Sequence, residues 1–172
     1  MFSNTLKSFL LKKNLKRQLF NVKEESLSCP VVKIGLIVDE SNFVKTNELK
    51  QENISNGIAD GNIKIIAYRD VLDPKKVYQH STFGLKDINL KGKFTDKILN
   101  EFISEEFDLL INYYNEDKPF LLFLTQNSKA KFKVGFSNVD KRLNHLLINI
   151  ALEDYKGFSH ELFRYLKILN KI

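Results

Sequence analysis

The sequence predicts an α/β protein: a Rossmann-like three-layer domain with a mostly parallel sheet of about five strands, preceded by a basic amphipathic helix. Three observations lead there. Short apolar runs, above all Val31–Val38 and Phe107–Tyr113, read as strands buried on both faces. Segments with helical spacing stand between such runs, the alternation of parallel strands joined by crossover helices. The 172 residues, 43% of them hydrophobic, are enough for one domain with a sizeable core.

Taken in order, residues 3–20 lack Pro and Gly and are rich in Leu and Lys, which predicts a helix. At about 100° per residue, Leu11, Leu15, Leu19 and Val22 share one face, and Phe2, Leu6, Phe9 and Leu10 form a second, offset patch. Residues 24–30 read as a linker, so the expected organisation is a helical extension over 1–23 and one α/β domain over 31–172. Val31–Val38 is the first strand. Asp39-Glu40-Ser41-Asn42 then makes a strand-to-helix turn, with Ser41 or Asn42 as N-cap of a helix over 43–54. Asn56-Gly57 and Asp60-Gly61 are turn signals, and Ile63–Tyr68 is the next strand.

Residues 69–92 carry the weakest periodicity: a turn at Asp73-Pro74, a short edge strand within 77–83, and an ordered loop over 87–92. Ile98, Leu99, Phe102 and Ile103 predict a helix over 94–104. The Phe107–Tyr113 strand is followed by a helix over 119–127 with Pro119 in its first turn. Strands over 130–136 and 145–151 flank a polar turn, and Phe158, Leu162, Leu166 and Leu169 mark a closing amphipathic helix.

The net charge of +6 is unevenly placed. Residues 1–23 hold Lys7, Lys12, Lys13, Lys16, Arg17 and Lys23 and no acid. Removing those six from the 27 basic residues leaves 21, equal to the 21 Asp and Glu, so the remaining body is formally neutral. A neutral body offers no broad phosphate footprint, and no DNA sequence-reading motif or aromatic-basic RNA motif occurs in it. The basic helix therefore has three readings. It lies on an anionic membrane, it binds RNA or DNA phosphates through Lys12, Lys13, Lys16 and Arg17, or it packs its leucine stripe on the body or a protein partner with the lysines solvated.

Three segments carry a family resemblance: Lys33-Ile-Gly-Leu-Ile-Val-Asp39, Phe107-Asp-Leu-Leu-Ile-Asn112 and Ser128-Lys-Ala-Lys-Phe-Lys-Val-Gly135. Together they resemble an uncharacterised family of small α/β proteins known mainly from Bacteroidota. The resemblance covers nearly the whole chain and implies a fold but no activity or catalytic residue. Phe107–Asn112 and Lys133–Gly135 also resemble the acceptor half of heptosyltransferase-like glycosyltransferases. This chain has Asn112 where such strands often carry Asp, and it is too short for the second, nucleotide-sugar-binding domain.

Chemistry-bearing motifs are few. Gly35 lies within a strand, so neither a dinucleotide fingerprint nor a P-loop can be drawn, and its expected role is close packing. His80, His145 and His160 stand alone, with no zinc spacing, and no cofactor is implied. Cys29, the only cysteine, permits no intrachain disulfide and suits a cytoplasmic setting, with a peripheral membrane association left open. One candidate site remains. Asp39, Ser41 and Asn112 fall at strand ends on the rim where open α/β sheets bind ligands, with Tyr68 and Arg69 near by. They either grip a small polar ligand such as a nucleotide or sugar phosphate, or cap a helix and tie a loop. The leading expectation is a non-enzymatic interaction module docking through residues 3–20 onto a protein, RNA or anionic membrane surface. The rim site is the alternative.

Overall fold

Ile34–Asp39 (β1), Leu109–Tyr113 (β4) and Phe132–Phe136 (β5) are buried at every position, which makes them the centre of the sheet. In the computed structural model, which describes residues 2–18, 30–89 and 93–172, they are joined by Ile63–Tyr68 (β2), Ser81–Phe83 (β3) and Leu146–Ile148 (β6). The strand order is β3-β2-β1-β4-β5-β6, and every pairing is parallel. The order reverses between β1 and β4, so that is the topological switch point of a doubly wound sheet. The sheet has six strands rather than about five because two short edge strands complete it. β6 is parallel to β5 although residues 137–145 contain only a 3-10 turn at Lys141–Leu143.

Helices cover both faces. Thr46–Ser55 (α2) and Tyr155–Ile168 (α5) pack together on one side, while Phe2–Gln18 (α1), Lys97–Ser104 (α3) and Pro119–Asn127 (α4) lie on the other. This three-layer arrangement is the expected Rossmann-like fold. Aromatic rings fill both interfaces. On the α2/α5 side Tyr113 meets Phe43, Phe136 and Phe158 at 4.6–5.1 Å between centroids. On the α4 side Phe120 stacks on Tyr68 at 5.2 Å and meets Phe94 edge-on at 5.6 Å. Ring pairs at this separation add about 0.5–1.5 kcal/mol beyond the area they bury.

Two local expectations are corrected. Neither Ser41 nor Asn42 caps α2, which starts at Thr46 with Lys45 at the cap position and no side-chain cap. The chain instead turns on Asp39, whose carbonyl accepts from the backbone N–H of Asn42 and Phe43. That turn buries Phe43 before the helix begins. The predicted linker over 24–30 lies outside the described residues except for Pro30, as do Leu19, Val22, Cys29 and the end of the 87–92 loop.

Gly35 does serve close packing. A Cβ there would sit 2.8 Å from Phe107 Cδ2 and 2.9 Å from Leu110 Cδ1, both fully buried. Gly35→Ala is therefore expected to overpack the core, lowering stability by about 1–3 kcal/mol and Tm by roughly 2–10 °C. A thermal melt indistinguishable from wild type would show that Phe107 gives way freely.

Candidate functional site

The C-terminal edge of the sheet is closed by a charged latch. β1 ends at Asp39 and β2 at Tyr68, and the register sets these two side by side. Lys118, immediately before Pro119 at the start of α4, reaches over them. Its Nζ is 2.7 Å from Asp39 Oδ2 and 2.7 Å from Asp70 Oδ2, and 5.4 Å from the Tyr68 ring centre. The Tyr68 hydroxyl donates to Asp70 Oδ1 at 2.9 Å. Asp39 Oδ1 accepts the Ser41 backbone N–H at 3.0 Å, and Oδ2 accepts Asn42 Nδ2 at 3.4 Å. Ser41 Oγ in turn accepts the Asp70 N–H at 2.8 Å. Asp39 and Ser41 are thus brought together, with Asp39 almost completely buried.

Electrostatics hold the latch shut. Desolvation works against the Lys118 charge, but the hydrogen bonds and charges of Asp39 and Asp70 outweigh it and raise its ammonium above the ordinary lysine value. Burial pushes Asp70 up, yet the hydrogen bonds from Lys118 and Tyr68 win and hold its carboxyl below the usual range. Burial, then the Asp70 hydrogen bond and charge, raises the Tyr68 phenol.

Asn112 is not part of this edge. It pairs with Ile37, two residues short of Asp39, and its side chain is buried within the α4 layer. Its Nδ2 donates to Asn144 Oδ1 at 2.7 Å, and its Oδ1 accepts from Thr125 Oγ1 at 2.9 Å. With its proton spent on Asn112, Thr125 Oγ1 accepts from the Tyr114 hydroxyl at 2.7 Å. Gly135 lies opposite Asn112 in the register, and a Cβ there would come within 2.7 Å of Asn144 Nδ2. The glycine is what lets Asn144 cross β5 to reach Asn112. The loop-tying use of Asn112 is the one that forms.

Beside this network Lys133 is buried, and its Nζ donates to the Thr125 carbonyl at 2.8 Å. That carbonyl belongs to the last turn of α4, where helical acceptors have no partner of their own and a cation is favoured. Burial pushes the Lys133 amine down to about 8. Sequence reasoning missed Lys118, Asp70, Lys133 and Asn144. The available signal was Lys118-Pro119: a lysine at the first turn of the helix that follows a central strand stands at the ligand edge of a doubly wound sheet.

On α1, Leu11 and Leu15 are buried and the helix lies along α4. Lys12 and Lys13 are exposed. Leu6 and Phe9 keep 51% and 63% of their surface in solvent, which places these two residues of the offset apolar patch outside the core. Lys16 and Arg17 belong to the helix, but their side chains lie outside the described residues. No described helix is long and apolar enough to cross a membrane. Among the described residues, no group of three or more His, Cys, Asp or Glu is placed to hold a metal ion.

Residues 7–169 match the model of a family of unknown function, DUF6913. The chain belongs to the DUF6913 family. No curated protein and no solved structure matches it, so neither comparison links it to a glycosyltransferase. Within this DUF6913 chain, the matched region takes in the Asp39–Lys118–Asp70 latch, the Asn112 network and α1 from Lys7 onward.

Proposed function

We propose that this DUF6913 protein is a non-enzymatic module that docks through α1 onto an anionic phospholipid surface. The observation that carries the reading is the exposure of Leu6 and Phe9 on the same helix as the exposed Lys12 and Lys13. By helical geometry Leu6, Phe9 and Lys13 point away from the face where Leu11 and Leu15 meet the body. The helix has thus already spent one apolar face on the body. A second one, interleaved with cations and free of acids, has the composition of a helix lying in a bilayer interface. Lysines near an anionic bilayer contribute about 1 kcal/mol each, and a buried Leu or Phe contributes about 1.5–3 kcal/mol. RNA would engage the lysines but leave Leu6 and Phe9 unused, and a neutral body adds no further phosphate contacts.

Co-sedimentation of the full chain with phosphatidylcholine vesicles containing phosphatidylserine tests the reading. Because Leu11 and Leu15 belong to the core, surface variants serve better than truncation. Leu6→Ala with Phe9→Ala is expected to weaken binding roughly a hundredfold or more. Lys12→Glu with Lys13→Glu should do so at least as strongly, and added salt should weaken the wild type. Binding that survives both double substitutions, or that is found with RNA and not with vesicles, refutes the proposal.

A further inference from the structure

Next to the latch, on the β2 side, the sheet edge opens into a cavity of about 220 Å³. Glu40 follows β1 and Arg69 follows β2, and both continue the ladder by one hydrogen bond, Glu40 N–H to Tyr68 O and Arg69 N–H to Phe83 O, each 2.9 Å. The parallel register therefore delivers their side chains to one place. Glu40 is buried and both its oxygens are occupied: Oε1 accepts Thr46 Oγ1 at 2.9 Å, and Oε2 accepts Arg69 Nη2 at 3.0 Å and Nε at 3.3 Å. The carboxylate fixes the orientation of the guanidinium but engages only one of its edges, and a guanidinium carries five N–H donors.

Tyr78 collects a second cation. The Arg69 guanidinium lies 5.2 Å from the centre of its ring, and Lys76 Nζ lies 5.7 Å from the same centre. Glu40 neutralises Arg69, whereas Lys76 makes no ion pair with any described residue, so the residues lining the cavity sum to one positive charge. His80 also lines it, and its buried Nε2 has no hydrogen-bond partner among the described residues. Val44 and Val77, 81% and 95% exposed, flank the mouth. An oriented guanidinium, one net positive charge and two exposed valines together describe the complement of a small amphipathic anion.

We propose that this cavity binds a small aliphatic monocarboxylate, its carboxylate on the free edge of Arg69 and on Lys76 and its short chain against Val44 and Val77. A planar guanidinium matches a carboxylate, and a single net charge matches a monoanion better than a phosphate dianion. The volume lies below the roughly 300–1,000 Å³ of pockets for drug-sized ligands, so the occupant is small.

Titration of the full chain with butyrate, acetate and inorganic phosphate, followed by amide NMR shifts, tests this. Butyrate is expected to shift saturably the amides around Thr46 and across 69–80, more tightly than acetate. Lys76→Glu alters an exposed side chain that is not needed for folding, and should weaken butyrate roughly tenfold or more. Val44→Ser with Val77→Ser should bring butyrate down to the affinity of acetate. Absence of saturable butyrate shifts, equal binding by the Lys76→Glu variant, or phosphate binding more tightly than butyrate would each overturn the assignment.

Discussion

Lys118→Met is expected to lower stability by about 3–5 kcal/mol, the cost of removing one partner from a buried ion pair. The side chain of Asp39 is only 2% exposed and that of Lys118 14%, so methionine would fill the same space while leaving a carboxylate without its cation. Asp70 is 52% exposed, and Asp70→Asn is expected to cost less than about 1 kcal/mol. Combining Lys118→Met with Asp39→Asn removes the stranded charge and should recover much of the loss. Urea denaturation of the single and double variants reads this directly. If Lys118→Met alone costs no more than Asp70→Asn, the latch does not hold the edge. Acid should act as Asp70→Asn does. The folded-state pKa of Asp70 is depressed, so its contribution is present above the ordinary carboxylate value and lost as pH falls below about 4.

Stability should also rise on the alkaline side, between about pH 8 and pH 10, and Lys133→Met should abolish that rise. The folded-state value for Lys133 is about 8, against about 10.4 in an unfolded chain. Between these values the unfolded chain binds more protons, so stability increases with pH, by roughly 2–4 kcal/mol in all. Above about pH 10 an opposite effect begins. The phenols of Tyr68, Tyr113 and Tyr114 are raised by burial, so their contribution is complete below the unfolded value and lost as pH climbs past it. Subtracting the variant from the wild type isolates the lysine. At neutral pH two effects of Lys133→Met oppose each other: a buried charge disappears, and the Thr125 carbonyl loses its donor. Parallel pH profiles for the two proteins would mean that Lys133 is hydrated in solution.

The elements most legible in the sequence are those bounded by strong local signals. Ile63–Tyr68 stands between Gly61 and Arg69, and Pro119–Asn127 starts on a proline; both match their predicted limits. The helix after Asp39 was predicted to begin three residues early, at Phe43 rather than Thr46, because the burial of Phe43 against Tyr113 is a tertiary event. The candidate site was half legible. Asp39 and Asn112 do lie on neighbouring strands, as a doubly wound order requires, but the register sets them two residues apart in height. That offset leaves Asp39 at the edge under Lys118 and puts Asn112 inside, under Asn144.

What the sequence alone determined was the alternation of strands and helices, the doubly wound class, the basic N-terminal segment and the leucine face of α1. These follow from local signals: short apolar runs for the buried strands, a 3.6-residue spacing for the helices and the placing of charged residues for the basic segment. Only the tertiary structure decided what the polar residues do. Asn112 finds its partner 32 residues away and Lys118 reaches a carboxylate 48 residues away. Burial of an amide or an ammonium is tolerated only with a partner in place, and which partner arrives depends on strand order and register rather than on the neighbouring sequence.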